Sequence, residues 1–249
     1  MLPLRAAPDE RPLFCLHPVT GLSWGFTSLL RHLDNELPIY GLQSHGLRGD
    51  AALPGSIEEI AAHYLVQMRQ VQKHGPYRML GWSMGGLIGH AIAAQLEAEG
   101  ESVEFLAMMD SYLFAAAPAT DEAQEIQAAL HFLGFHCHAE NPPSHMEALA
   151  DLLYQEYGVH SQPLVQGLLK RNPRLLDHVT TVTRNNLALA RRYRPSRIDA
   201  SVVFFRATDH QHHDAIDSLL QYNPAAWRSY IGGRFEVHEI DCHHQKMLD

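Results

Sequence analysis

Gly81-Trp82-Ser83-Met84-Gly85 is the segment of this chain most ready for chemistry. It sets a serine between glycines in the pattern G-x-S-x-G. A chance match is expected on the order of 0.1 times in a chain of this length, so the surroundings carry the argument. Tyr77-Arg78-Met79-Leu80 reads as a buried strand running straight into the motif, and the apolar stretch Leu87 to Ala98 reads as a helix leaving it. So tight a strand-to-helix turn needs glycine at the flanking positions, because a β-carbon there would clash. The turn raises the serine hydroxyl above the sheet edge, beside a helix N-terminus. The chemistry this points to is nucleophilic attack on an acyl group. The plainer reading is an ordinary glycine-rich turn.

A serine hydroxyl is a weak nucleophile and needs a base. His243 and His244 both follow the last predicted strand, where this architecture keeps its histidine. The chain has 18 histidines, so one in the right place is not by itself informative. The acid that orients the imidazole should follow a strand end. Asp110 ends the Val103–Met109 stretch and Asp209 follows Val202–Arg206; both preserve the order Ser…Asp…His. Two backbone N–H groups should hold the oxyanion. One is expected from Met84, the other from the loop His17 to Gly21. His17 itself reads as a structural loop residue.

The elements that must position these groups alternate. Leu13-Phe14-Cys15-Leu16 is a short strand after a linker over 1–12. Trp24, Phe26, Leu29, Leu30 and Leu33 fit helical spacing from about Ser23 to Asp34. Pro38 to Leu42 is a second strand. Ser56 and Glu59 form a capping box opening a helix that carries Ile57, Ile60, Ala61, Leu65, Met68 and Val71. Gly100 sits as the C-terminal cap of the helix after the serine. This tempo means α/β architecture, with a mostly parallel sheet and crossover helices. About 113–195 contains no convincing strand. Its helical segments, Ala123 to Leu133, His145 to Tyr157, Leu164 to Leu169 and Leu175 to Tyr193, read as a helical lid insertion. Strands resume at Ser201–Phe205 and Phe235–Ile240.

Composition bounds the partners. The chain has 249 residues, 46% hydrophobic and 19% charged, with a net charge of −9. That excludes collagen, coiled coil and wholesale disorder. The acidic balance and the lack of a basic run argue against nucleic acid. No stretch of 18 apolar residues suggests a membrane span, and Met1 to Pro12 has no secretory apolar segment. The three cysteines, Cys15, Cys137 and Cys242, make no disulfide framework, which favours the cytoplasm. His136-Cys137-His138 and His210-Gln211-His212-His213 lack the paired spacing of a structural zinc site, so no metal is expected.

Several stretches together resemble a known family. Pro12-Leu13-Phe14-Cys15-Leu16-His17-Pro18-Val19-Thr20-Gly21 is similar to the opening of the thioesterase domains that end nonribosomal peptide synthetases. Tyr40-Gly41-Leu42-Gln43-Ser44, His74-Gly75-Pro76-Tyr77 and Leu80 to Gly86 fit the same family. Leu106 to Tyr112 resembles its acid-bearing strand end, and His244-Gln245-Lys246-Met247-Leu248 its H-x-x-M-L motif. The resemblance covers about 1–112 and 200–249. Cys242 stands where the family usually has glycine, and the chain stops at Asp249 where the family usually continues into a helix.

The resemblance implies a single domain of the α/β-hydrolase fold. It implies Ser83 as nucleophile, His244 rather than His243 as base, and Asp110 as acid. It maps the second oxyanion donor to the backbone of Val19, beside Met84. It implies no cofactor in this domain and a peptidyl or acyl chain delivered on the phosphopantetheine arm of a carrier domain, then released by hydrolysis or ring closure. The alternatives are a standalone editing thioesterase, whose acid is more often at the position of Asp209, a generic esterase or lipase, and a non-catalytic module that docks a carrier domain.

Overall fold

Six of the seven strands run parallel, as apolar runs separated by helices require. The computed structural model describes residues 1–7, 10–49, 52–114, 174–209 and 223–248. The strands are β1 (Leu2–Arg5), β2 (Leu13–Leu16), β3 (Ile39–Leu42), β4 (Tyr77–Trp82), β5 (Val103–Met109), β6 (Val202–Ala207) and β7 (Phe235–Ile240). Their order in the sheet is β1-β3-β2-β4-β5-β6-β7. Both faces of the central strands are covered, so they read as continuous apolar runs. Phe14, Leu16, Met79, Leu106, Met108 and Phe204 fill one side; Leu13, Cys15, Ile39, Leu80, Ala107 and Met109 fill the other.

Helices α1 (Ile57–Arg69) and α2 (Met84–Ala98) pack on the first of these sides. The Ser56 hydroxyl accepts from the Glu59 amide at 3.0 Å, as the capping pattern predicts. The Glu59 carboxylate accepts from the Gly55 amide at 2.7 Å, one residue earlier than in a full capping box. Val71 lies beyond the end of α1 and is exposed, contrary to expectation. The end of α2 is closed by Gly100 at φ 78°. Its N–H reaches Glu97 O at 3.0 Å and the Glu101 N–H reaches Leu96 O at 2.9 Å. Helix α3 (Leu175–Arg192) lies between β5 and β6 in sequence; Val179 and Val182 pack beside Leu47, and the Asn185 amide donates to Pro54 O at 3.1 Å. The three earlier helical segments expected between β5 and β6 lie outside the described residues.

Two local expectations are corrected. The stretch 1–12 is not all linker: Leu2–Arg5 is a strand, antiparallel to β3. Its edge position tolerates Pro3, whose missing N–H would break an interior ladder. The Arg5 guanidinium donates to the carbonyls of Leu37 at 2.8 Å and Leu30 at 3.2 Å, and to Asp34 O, holding the next segment. That segment, expected as an ordinary helix, is a 3-10 helix over Trp24–Arg31. Its start lacks a side-chain cap, because the Ser23 hydroxyl donates to Leu42 O at 2.9 Å instead.

The motif glycines are dictated by backbone proximity. A β-carbon on Gly85 would lie 2.1 Å from Leu16 O, and one on Gly81 would lie 2.2 Å from Gly85 O. No flexible side chain can move aside there. Gly85→Ala is therefore expected to cost about 3 kcal/mol. Gly100→Ala, with nothing within 4 Å of the new carbon, should cost only the left-handed conformational term of about 1 kcal/mol. Urea unfolding of the two variants beside the parent measures the contrast; equal losses would refute it.

Candidate active site

Strand β4 ends and α2 begins within one residue, so the residue between them must take an unusual backbone. Ser83 does so at φ 55°, ψ −122°. Its N–H continues the ladder to Met109 O at 2.8 Å, and its own carbonyl accepts from Gly86 N at 3.0 Å. The next strand ends in the same way: Asp110 follows β5 at φ 46°, with its N–H on Phe205 O at 2.7 Å. Ser83 and Asp110 are the two non-glycine residues at positive φ among the described residues. Such conformations persist only where the surrounding structure enforces them. Both side chains are thereby held at the carboxyl ends of adjacent parallel strands, the end where open α/β sheets bind ligands.

His244 reaches this point from the short 3-10 helix that follows β7. Its Nδ1 lies 2.6 Å from Asp110 Oδ2. The carboxylate oxygen accepts, so Nδ1 carries the proton and Nε2 is left as the basic nitrogen. The second carboxylate oxygen accepts from the Tyr112 hydroxyl at 2.6 Å and the Ala207 amide at 3.1 Å. Burial alone would raise the Asp110 pKa. The His244 hydrogen bond and charge, with Tyr112 and Ala207, outweigh it and hold the carboxyl below its ordinary value. The Trp82 ring lies 5.7 Å from the imidazole, centroid to centroid.

Of the alternatives left open by the residues, the structure brings together His244 and Asp110. Asp209 sits on the loop after β6, its N–H on Cys242 O at 3.1 Å, and His243 is half-buried beside His244. Ser83, Met84 and Val19 line one recess, with Asp110 in its wall. The remaining described walls are mostly apolar, from Leu87, Phe114, Leu187 and Ala190. Ser83 and two candidate backbone donors thus share one recess, and His244 bonds to Asp110 in its wall, an arrangement that suits acyl transfer.

Tyr112, Ala207 and Trp82 escaped the sequence reading. Tyr112 left only its nearness in sequence, two positions after Asp110, as a signal. Ala207 acts through its backbone and left none. The tracts His136-Cys137-His138 and His210-Gln211-His212-His213 lie outside the described residues. Among the described residues, no group of three or more His, Cys, Asp or Glu is placed to hold a metal ion, and no helix is long and apolar enough to cross a membrane.

His17 is fully buried, as a structural loop residue would be, and burial lowers its pKa from 6.5 to about 4. His90 is buried beside Tyr193 and lowered likewise to about 4. Unfolding lets both groups take up protons from about 6.5 downward, whereas the folded chain takes them up only near 4. Stability from these groups is whole above that window and lost as pH falls through it, on the order of 3 kcal/mol each. Urea unfolding at about pH 7, 5.5 and 4.5 should show the decline; a flat profile would contradict neutral burial.

Known proteins share this fold. The profile of the family described as "Thioesterase domain" matches residues 11–249. Malpibaldin synthetase of Mortierella alpina is 34% identical over 247 residues, covering 99% of this chain and 4% of that protein. The dimodular nonribosomal peptide synthase of Bacillus subtilis (strain 168) is 33% identical over 252 residues, covering 99% of this chain and 10% of its own length. The chain thus spans a small part of the relatives it matches. Among solved structures, a four-domain nonribosomal peptide synthetase, holo-AB3403 bound to AMP and glycine, superposes with a TM-score of 0.76 at 23% identity, covering 99% of this chain and 19% of that one. The wild-type Vlm2 thioesterase domain superposes with a TM-score of 0.70 at 21% identity, covering all of this chain and 91% of that one. These solved structures share the mostly parallel sheet flanked by helices, and with the family profile spanning 239 of its residues, the chain belongs to the thioesterase domain family.

Proposed function

We propose that this chain is the product-release thioesterase of a nonribosomal peptide synthetase, working through Ser83, His244 and Asp110. The observation that carries the reading is the 2.6 Å contact of His244 Nδ1 with Asp110 Oδ2, on the strand next to the serine turn. Family membership and synthetase relatives support it. The acid's place argues against the editing-enzyme reading, which prefers the Asp209 position.

In the proposed reaction, a peptidyl or acyl thioester arrives on the phosphopantetheine arm of a carrier domain of the same cytoplasmic synthetase. His244 Nε2 takes the proton from the Ser83 hydroxyl as its oxygen attacks the thioester carbon. The N–H groups of Met84 and Val19 receive the charge on the former carbonyl oxygen. Asp110 fixes the imidazole and stabilises its charged form. The carbon–sulfur bond breaks, the thiolate takes the proton from His244, and an ester on Ser83 remains. Water, or a hydroxyl or amine of the chain itself, then attacks that ester, giving its proton to His244 and regenerating the serine. Helix α3, whose Leu187 and Ala190 line the recess, would form part of the cover over this step. The domain needs no cofactor of its own. The apolar described wall of the recess favours an apolar residue at the thioester.

Thiol release from a panel of acyl and aminoacyl pantetheine thioesters, with products read by mass spectrometry, tests the reading. Ser83→Ala should abolish release above background. Asp110→Asn should lower kcat by about 10⁴-fold, while Asp209→Asn should stay within about threefold of the parent. The reverse order of the two aspartates would overturn the acid assignment and favour the editing enzyme. A product lighter than the free acid by one water marks ring closure.

A further inference from the structure

The Val19 N–H belongs to the same planar unit as the Pro18 carbonyl, and in a trans peptide the two point in opposite directions. Whatever holds the carbonyl therefore aims the N–H. Pro18 O accepts from His17 Nδ1 at 2.7 Å and from the Gly21 amide at 3.0 Å. A carbonyl only accepts, so His17 carries its proton on Nδ1, and Nε2 accepts from the Tyr64 hydroxyl at 2.6 Å. Tyr64 lies on α1 and is buried, as is His17. The following peptide is held as well: Val19 O accepts from the Asn186 amide of α3 at 2.8 Å, and Asn186 is 1% exposed. Of the two peptides flanking the Val19 α-carbon, one is thus held by the His17 side chain, itself held by Tyr64 of α1, and the other directly by Asn186 of α3.

We infer that Tyr64, through His17, and Asn186 are positioning residues for the Val19 oxyanion donor, joining α1 and α3 to the site without touching the substrate. The inference rests on the proposed serine acyl transfer. Burial keeps His17 in the neutral form that this bonding pattern uses.

The test uses the release assay with Tyr64→Phe and Asn186→Leu, each close in shape to the parent residue. Removing an oxyanion donor outright costs about 10²- to 10³-fold in kcat, so a misaimed one should cost about 10- to 100-fold, with KM moving less than about threefold. Binding of a trifluoromethyl ketone analogue, whose adduct places an oxyanion in the hole, should weaken in parallel. The pH dependence of kcat/KM should stay in place, because the His244–Asp110 pair is untouched. Asn185→Ala removes the neighbouring anchor of α3 on Pro54 and should leave kcat within about twofold. Asn186→Asp, which sets an acceptor against Val19 O, should lose more than Asn186→Leu. Parent and Ser83→Ala run alongside: release independent of Ser83 sinks the underlying function. Ser83-dependent release with kcat and analogue binding unchanged in folded Tyr64→Phe and Asn186→Leu overturns the positioning role alone, as would an Asn185→Ala loss equal to that of Asn186→Leu.

Discussion

Everything at this site follows from how closely the first turn of α2 approaches the end of β2. At Gly85 a single added carbon would sit 2.1 Å from Leu16 O. That distance leaves no room for any side chain, and it decides where the rest can be. It sets Met84 beside the loop that follows β2, so Val19 and Met84 line the recess that Ser83 enters. It also forces the serine into a left-handed backbone, since helix and strand meet with no residue to spare. Strain in the backbone is offset by ladder bonds: the Ser83 amide is still paired with β5 and the Asp110 amide with β6.

The electrostatics have the same economy. Asp110 is a buried carboxylate, which burial alone would disfavour. It stays charged because its oxygens accept from an imidazole, a phenol and a backbone amide, drawn from three separated parts of the chain. Those bonds fix the tautomer of His244, and the tautomer decides which nitrogen can act as base. A second histidine, His17, is fixed in the same manner but with another purpose. Its partners are a carbonyl and a hydroxyl, with no carboxylate among them, and burial holds it neutral. One imidazole faces a carboxylate; the other faces none and is held neutral by burial.

The sequence made the centre of the molecule legible because the constraints there are local and steric. Glycines at 81 and 85, a strand before and a helix after leave few alternatives; β5 follows as read, while β4 runs on to Trp82 and α2 starts earlier, at Met84. The acid and the base were narrowed to pairs by spacing, and only the family resemblance chose Asp110 and His244, a choice consistent with their contact at 2.6 Å. The edges were less legible. Strand β1 contains a proline and half-exposed positions, so its pattern is weak, and its identity comes from pairing with β3 and from Arg5 reaching a distant turn. The 3-10 helix after β2 keeps helical spacing in its apolar residues while its cap residue bonds elsewhere. Contacts made by backbone, such as the Ala207 amide, carry no residue-type signal at all.

In the proposed reaction the acyl chain passes through an ester on Ser83. The most direct measurement is rapid-quench intact-mass analysis of the protein mixed with an acyl pantetheine thioester, with the adduct located by peptide mapping. A transient gain equal to the acyl group less one hydrogen is expected on the peptide that contains Ser83, formed as thiol is released. Thiol release at full rate with no adduct, or an adduct on another residue, would contradict it.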